Sequence, residues 1–316
     1  MLERVIENWL DKSSELSFQT PFCYMLSAEG HTIIHLTRHC GMEMGKDIIT
    51  ISPKGTPCAY QLKGAINGRF TLSQWRKINT QVFDLVVGSI EHPSITNKKH
   101  HRSFLVINGV LEEEVSRAIA DMNRNWSKNK QSHLKLETIV RGEILDKAKK
   151  LESNFWPTEL SDVKLFLELY LNNGDGVLPK GKLSSLLEQT LPLELVKGKK
   201  KPSRAHCERA IASAAVLLSI AISSFTRQRN YVAEIEAWII YICYVFALIE
   251  KWNMPFDLCK NEFGIASKSI YNSLSILCEE LMERKHFVQG DAFVDQPVYK
   301  VRMTWLIDLP PDNWTN

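Results

Sequence analysis

The stretch Gly41–Gly64, GMEMGKDIITISPKGTPCAYQLKG, decides the fold of the N-terminal half. Two apolar, strand-prone runs, one containing Ile48, Ile49 and Ile51 and the other Cys58–Leu62, flank the turn signal Pro53-Lys54-Gly55. That pattern predicts an antiparallel hairpin. With the turn centred near Lys54 and Gly55, Asp47 opens one strand opposite the Gln61–Lys63 end of the other, and strand alternation puts Gln61 and Lys63 on one face.

On either side of the hairpin the apolar spacing continues to specify elements. Leu2–Leu10 is helical in period, Pro21 is expected to open a second helix carrying Phe22, Met25 and Leu26, and Gly30 stops it. Thr32–Leu36 is a short β-branched run. After the hairpin, Leu72, Trp75, Ile78, Val82 and Leu85 recur at intervals of three and four residues, the mark of one buried helical face across Thr71–Val87. Phe104–Ile107 is a compact strand ended by Asn108-Gly109, and the Glu-rich start at Glu112–Glu114 opens another helix. The predicted order is helix, three strands, helix, strand.

Hydrolysing a phosphodiester at neutral pH calls for a hard divalent cation held by oxygen ligands, and for a cation that steadies the charged transition state. Asp47, Gln61 and Lys63 supply that chemistry at one end of the hairpin. Element order and motif together resemble the PD-(D/E)XK restriction-endonuclease-like superfamily, in particular the Mrr-like branch with a QxK motif, over roughly residues 15 to 110. The resemblance implies an αβββαβ core in which Asp47 binds metal, Gln61 replaces the second acidic ligand through its amide carbonyl, and Lys63 is the catalytic lysine. It implies Mg2+, or Mn2+, as cofactor and DNA as substrate, in restriction or anti-phage defence, with a homodimer or a partner protein of a defence system as the assembly.

Many members of the superfamily carry a glutamate on the first helix, and the matching place here holds Phe22-Cys23. Glu43, four residues before Asp47, is the preferred substitute, ahead of Glu29. For phosphate contacts the candidates are the cluster Lys98, Lys99, His100, His101 and Arg102, with Arg69, Arg76 and Lys77 near the helix between the strands. A solvated loop is the alternative reading of that cluster.

After Trp156-Pro157 the pattern turns to helices, so the chain is read as a nuclease-like domain at 1–158 and a mainly helical domain at 159–316. Within 255–306 a helix Phe256–Phe263, a turn at Gly264, a helix Ser267–Arg284 and a hairpin near Gly290-Asp291 resemble a winged helix-turn-helix, with Lys268, Ser269, Tyr271 and Asn272 as groove-reading candidates. Ordinary helical packing is the alternative.

The totals narrow the field. A net charge of +3 from 39 basic and 36 acidic residues gives no global polyanion signal, so any nucleic-acid contact is local. Seven cysteines without a C-x-x-C pair point to reduced thiols and no structural zinc, and the acidic N-terminus lacks a signal-peptide pattern. A cytoplasmic protein with no membrane partner is expected, the apolar stretches Ala210–Phe225 and Ala237–Ile249 being read as buried helices. Three functions fit the residues: a metal-dependent endonuclease on DNA; a catalytically inactive nucleic-acid-binding or scaffold subunit; and a ribonuclease, or a nuclease subunit active only in a complex.

Overall fold

The computed structural model describes residues 2–36, 45–65, 67–90, 92, 94–95, 100–156, 160–193 and 201–283. A mixed α/β region comes first: α1 (Leu2–Lys12), α2 (Glu15–Ala28), β1 (Thr32–Leu36), β2 (Ile48–Ile51), β3 (Pro57–Lys63), β4 (Arg69–Phe70), α3 (Leu72–Val87), β5 (Arg102–Ile107), β6 (Val110–Leu111), α4 (Glu113–Lys128) and β7 (Leu136–Ile139). The rest is helical: α5 (Arg141–Phe155), α6 (Leu160–Tyr170), α7 (Lys180–Thr190), α8 (Arg204–Ala221), α9 (Ser223–Arg227), α10 (Tyr231–Trp252), a 3-10 turn at Phe256–Cys259 and α11 (Lys260–Glu283). The chain divides into two compact units, Met1–Ile270 and Tyr271–Asn316.

Five strands form the main sheet in the order β1-β2-β3-β5-β7, with β1, β2 and β3 an antiparallel meander and β5 and β7 parallel to β3. A parallel neighbour cannot be reached through a tight turn, and α3 and α4 provide the crossovers. The strand β7 was not anticipated; its four residues, Leu136–Ile139, are too few for alternation to register. Thr71 caps α3, its hydroxyl accepting from Gln74 N while the Gln74 side chain accepts from Thr71 N, a reciprocal box that fixes where the helix starts.

The two faces of the sheet bury different helices. Ala59, Leu105 and Ile107 pack with Trp75, Val82 and Leu85 of α3 and Val115 and Ile119 of α4. Cys58, Tyr60, Leu62, Phe104 and Val106 belong to a larger core with α2, and that core continues through α5, α6, α8 and α10. The helix α2 is buried nearly all round, from Phe18 to Leu26, because one side meets the sheet and the other meets the helices: Phe22 lies edge-on to Tyr60 at 5.8 Å, while Tyr24 stacks on Trp238 at 5.6 Å.

Of the two long apolar stretches, α8 is buried along almost its whole length. The helix α10 buries one face through Ala233, Ala237, Trp238, Tyr241, Val245 and Leu248 and exposes Ile239 and Phe246. Among the described residues α10 alone is long and apolar enough to cross a membrane by length and composition, with a third of its most apolar window buried in the protein.

The expected turn at Gly264 is absent. The helix α11 runs unbroken through that residue from Lys260, preceded only by the short 3-10 turn, so Lys268, Ser269, Tyr271 and Asn272 fall within one helix rather than at the start of a second. One glycine costs a helix about 1 kcal/mol, too little to break it when Ile265 and Ala266 beside it are buried. The hairpin expected near Gly290-Asp291 lies outside the described residues.

One carboxyl in this packing is held away from water. Glu262 at the start of α11 is 4% exposed, accepts from Ser27 Oγ of α2 at 2.5 Å, and burial raises its pKa to about 7. Because the folded value lies above the unfolded one of 4.5, the protonated acid favours the fold; its contribution is complete below about pH 4.5 and is lost as pH rises through 7. Glu262→Gln is therefore expected to raise the unfolding free energy at pH 8, by an upper limit on the order of 3 kcal/mol, and to flatten the stability profile between pH 5 and pH 8. Chemical denaturation of both proteins across that range measures it, and parallel profiles would contradict the assignment.

Candidate active site

The hairpin forms as its sequence requires. Ser52 N donates to Thr56 O, and Gly55 adopts a positive φ of 74° in the turn, a conformation glycine adopts without cost. The ladder ends by pairing Ile48 with Tyr60, and Asp47 N donates to the same Tyr60 O at 2.8 Å, so Asp47 meets β3 at the residue before Gln61. Its Oδ2 accepts from Leu62 N at 2.6 Å, which bends the carboxylate over the end of β3.

Lys63, two residues beyond Gln61, donates from Nζ to Glu15 Oε1 at 3.1 Å, and both side chains are partly exposed. Glu15 is the first residue of α2, so the first helix does carry an acid beside the lysine, at a position the sequence reading missed. Pro21 does not open the helix but lies inside it, and the N-cap is Ser14, whose Oγ accepts from Ser17 N. One turn along α2, Gln19 Nε2 donates to Asp47 O at 3.4 Å, tying the helix to the aspartate's strand as well. Of the two acids considered earlier, Glu43 lies outside the described residues, and Glu29 pairs with Lys147 at the opposite end of α2.

Asn108 holds this end of the sheet together. Its side chain is 3% exposed; Oδ1 accepts from Ala65 N just beyond Lys63, while Nδ2 donates to Leu10 O and Ser13 O between α1 and α2. One amide therefore fixes the exit of β3, the end of β5 and the approach to Glu15. Gly109 follows because a Cβ there would lie 2.3 Å from Ala65 Cβ and 2.6 Å from Gly68 O.

On the α3 side, Gln61 is 2% exposed; its Nε2 donates to Gln81 Oε1 at 2.9 Å, and its Oε1 is buried without a hydrogen-bond partner. Lys46, next to Asp47, is also buried and reaches Asp84 O at 3.3 Å; burial lowers its pKa. Sequence reading passed over both Gln81 and Lys46, neither of which belongs to a motif. An orphaned amide oxygen on a residue flanked by the contacts of a carboxylate suits a hard cation, since the oxygen lacks the positive partner that burial demands. Among the described residues no three His, Cys, Asp or Glu side chains gather closely enough to hold a metal. A site built on Asp47 and Gln61 therefore fits a weakly held ion completed by water and phosphate.

The cationic candidates are spread along the sheet. Arg102 starts β5 and pairs with Cys58, whereas Lys63 pairs with Ile107, so Arg102 lies about 17 Å along the strands from the lysine's level. Its guanidinium makes a bidentate pair with Glu137 and lies over Phe104. His100 packs against His133, and the His101 ring bonds to Leu85 O at 2.7 Å, burial lowering its pKa. Lys98 and Lys99 lie outside the described residues. Arg69, Arg76 and Lys77 are exposed, and the first turn of α3 meets the end of β3 through Gln74 Nε2 and Gly64 O at 3.4 Å.

Comparison with protein-family models, with curated proteins and with solved structures finds no match to this chain.

Replacing Asn108 by alanine would leave Ala65 N, Leu10 O and Ser13 O without this partner. A loss of about 2 to 4 kcal/mol in unfolding free energy is expected, because stranded buried backbone groups cost more than a net hydrogen bond returns. Urea denaturation measures it, and a loss below about 1 kcal/mol would show that water substitutes for the amide at little cost.

Proposed function

We propose that this chain is a metal-dependent nuclease with a restriction-endonuclease-like core, Asp47, Gln61, Lys63 and Glu15 forming its active site. The observation that carries the reading is the meeting of Asp47 with Tyr60 and Leu62, on either side of Gln61, with Lys63 following on the same strand beside a helix acid. The helix, three-strand, helix, strand order in which the group sits supports the same reading.

Asp47 and Gln61 would hold Mg2+ or Mn2+, with the half-exposed Asp47 carboxylate offering charge and the Gln61 oxygen completing the protein's share. Such an ion, when bound, supplies an acidified water and neutralises charge on phosphate. Lys63 contributes a compact cation that can leave Glu15 for a phosphate oxygen as negative charge develops there. Glu15, released from that pair, would be free to accept a proton from water. Arg69, Arg76 and Lys77 offer sequence-independent phosphate contacts near the same end of the sheet. DNA is the substrate we assign, with RNA as the competing polymer for the same chemistry.

One observation favours a second reading. Lys63 and Glu15 already satisfy each other, as they would in a nucleic-acid-binding or scaffold subunit that no longer cuts.

Labelled double-stranded DNA, single-stranded DNA and RNA, incubated with the full chain in Mg2+ and in Mn2+, separate these outcomes. The wild type is expected to cut DNA only with metal. Asp47→Asn and Lys63→Ala are each expected to lose roughly 100-fold or more in rate, while Lys63→Ala keeps its nucleic-acid affinity within about threefold, because one cation is a small part of a phosphate footprint. Wild-type turnover in both variants would refute the assignment, cutting of RNA alone would change the substrate, and binding without cutting would establish the scaffold reading.

A further inference from the structure

The orphaned oxygen of Gln61 belongs to an amide whose other end is held. A glutamine amide fits its density of contacts in two orientations, and the two differ entirely in chemistry, since only the oxygen can bind a cation. Gln61 Nε2 donates to Gln81 Oε1 at 2.9 Å, leaving Oε1 as the end without a hydrogen bond. Gln61 lies between Tyr60, whose O accepts from Asp47 N, and Leu62, whose N donates to Asp47 Oδ2, so it is the strand residue flanked by these two contacts of the aspartate. The reversed amide would present N–H groups in place of that oxygen, and N–H groups cannot ligate a metal.

The placement of Gln81 follows from how α3 lies along β3. Gln74 meets Gly64 and Gln81 meets Gln61: seven helical residues rise about 10 Å, and three strand residues span about the same. The match continues to Leu85, whose carbonyl accepts from Ser103 Oγ on β5, at the level of Ala59. The backbone leading into Asp47 is pressed against this same turn of helix. Gly45 has φ +73°, and a Cβ on it would lie 2.4 Å from Gln81 O. One turn of α3 thus sets both the approach to Asp47 and the orientation of Gln61, though Gln81 itself stands on the exposed side of the helix.

We infer that Gln81 is the positioning residue of this site: by accepting from Gln61 Nε2 it keeps the Gln61 oxygen turned toward Asp47 for a divalent cation. This rests on the nuclease reading of Asp47 and Gln61, and it adds a residue that no motif contains. A carboxylate at position 61 has two equivalent oxygens and no wrong orientation, so the inference makes a specific claim about coupling: position 81 matters to metal binding only while position 61 is an amide.

The test is a Mn2+ titration of the full chain, followed by the paramagnetic resonance of the free ion, with a non-cleavable phosphorothioate oligonucleotide present. Wild type, Asp47→Asn, Gln81→Leu, Gln61→Glu and the double variant Gln61→Glu with Gln81→Leu are compared. Gln81→Leu is neutral and lies at an exposed position, and thermal melts verify that each variant is folded. In the wild-type background Gln81→Leu is expected to weaken Mn2+ binding roughly tenfold, the usual loss when a group that orients a ligand is removed. In the Gln61→Glu background the same change is expected to shift it less than about threefold. Equal shifts in both backgrounds, or none in the wild type, would overturn the role of Gln81 while leaving Asp47 as a ligand. Equal Mn2+ uptake by wild type and Asp47→Asn would instead remove the metal reading, and this inference with it.

Discussion

The amide of Asn108 is the constraint on which the site depends. A strand end and a helix start normally drift relative to each other, because loops between them are soft and side chains are long. Here the segment leaving β3, the end of β5 and the carbonyls between α1 and α2 converge on one buried side chain with matched donors and acceptors. Satisfying such a group with protein atoms leaves few alternative arrangements, since each would strand a polar atom away from water. Glu15 and Lys63 can therefore meet even though 48 residues separate them in the chain.

Asp47, Gln61 and Lys63 were legible because their geometry is local. A hairpin with a clear turn converts sequence distance into spatial pairing, and Asp47 reaches the Gln61–Lys63 stretch through its bond to Leu62 N, although its own backbone bonds one residue earlier, at Tyr60. Glu15 was hidden by Pro21. A proline commonly opens a helix, and taking it as the start moved the expected helix past its true first turn; the actual cap is Ser14, and Pro21 is tolerated inside a helix that tertiary packing holds on both sides. Gly264 misled in the opposite sense, as a breaker that did not break. Contacts such as Gln61 with Gln81 depend on the pitch of a helix laid over a strand, and a single sequence carries no direct sign of that.

Charge along the sheet follows the same division between local and distant. Arg102 looked available as a member of a basic run, yet β7, a strand not anticipated, brings Glu137 beside it. Lys46 sits in a polar stretch, yet next to the close approach of Gly45 to α3 it is buried and reaches Asp84 O. Arg76 and Lys77, on the first half of α3, are exposed to solvent.

The burial of α2 on both sides bears on how this protein can have been assembled over time. A core that closes its own surface travels as a cassette, joined to new companions through a linker and little else. This core does not close: Tyr24 lies against Trp238 and Tyr241, while Phe22 lies against Tyr60, so the helix that presents Glu15 is finished by the helical half of the chain. Recombination that exchanged the helical half would strip water-avoiding surface from the wall of the site itself. The two halves are thereby bound to change together, each inheriting the other's substitutions as its own packing problem.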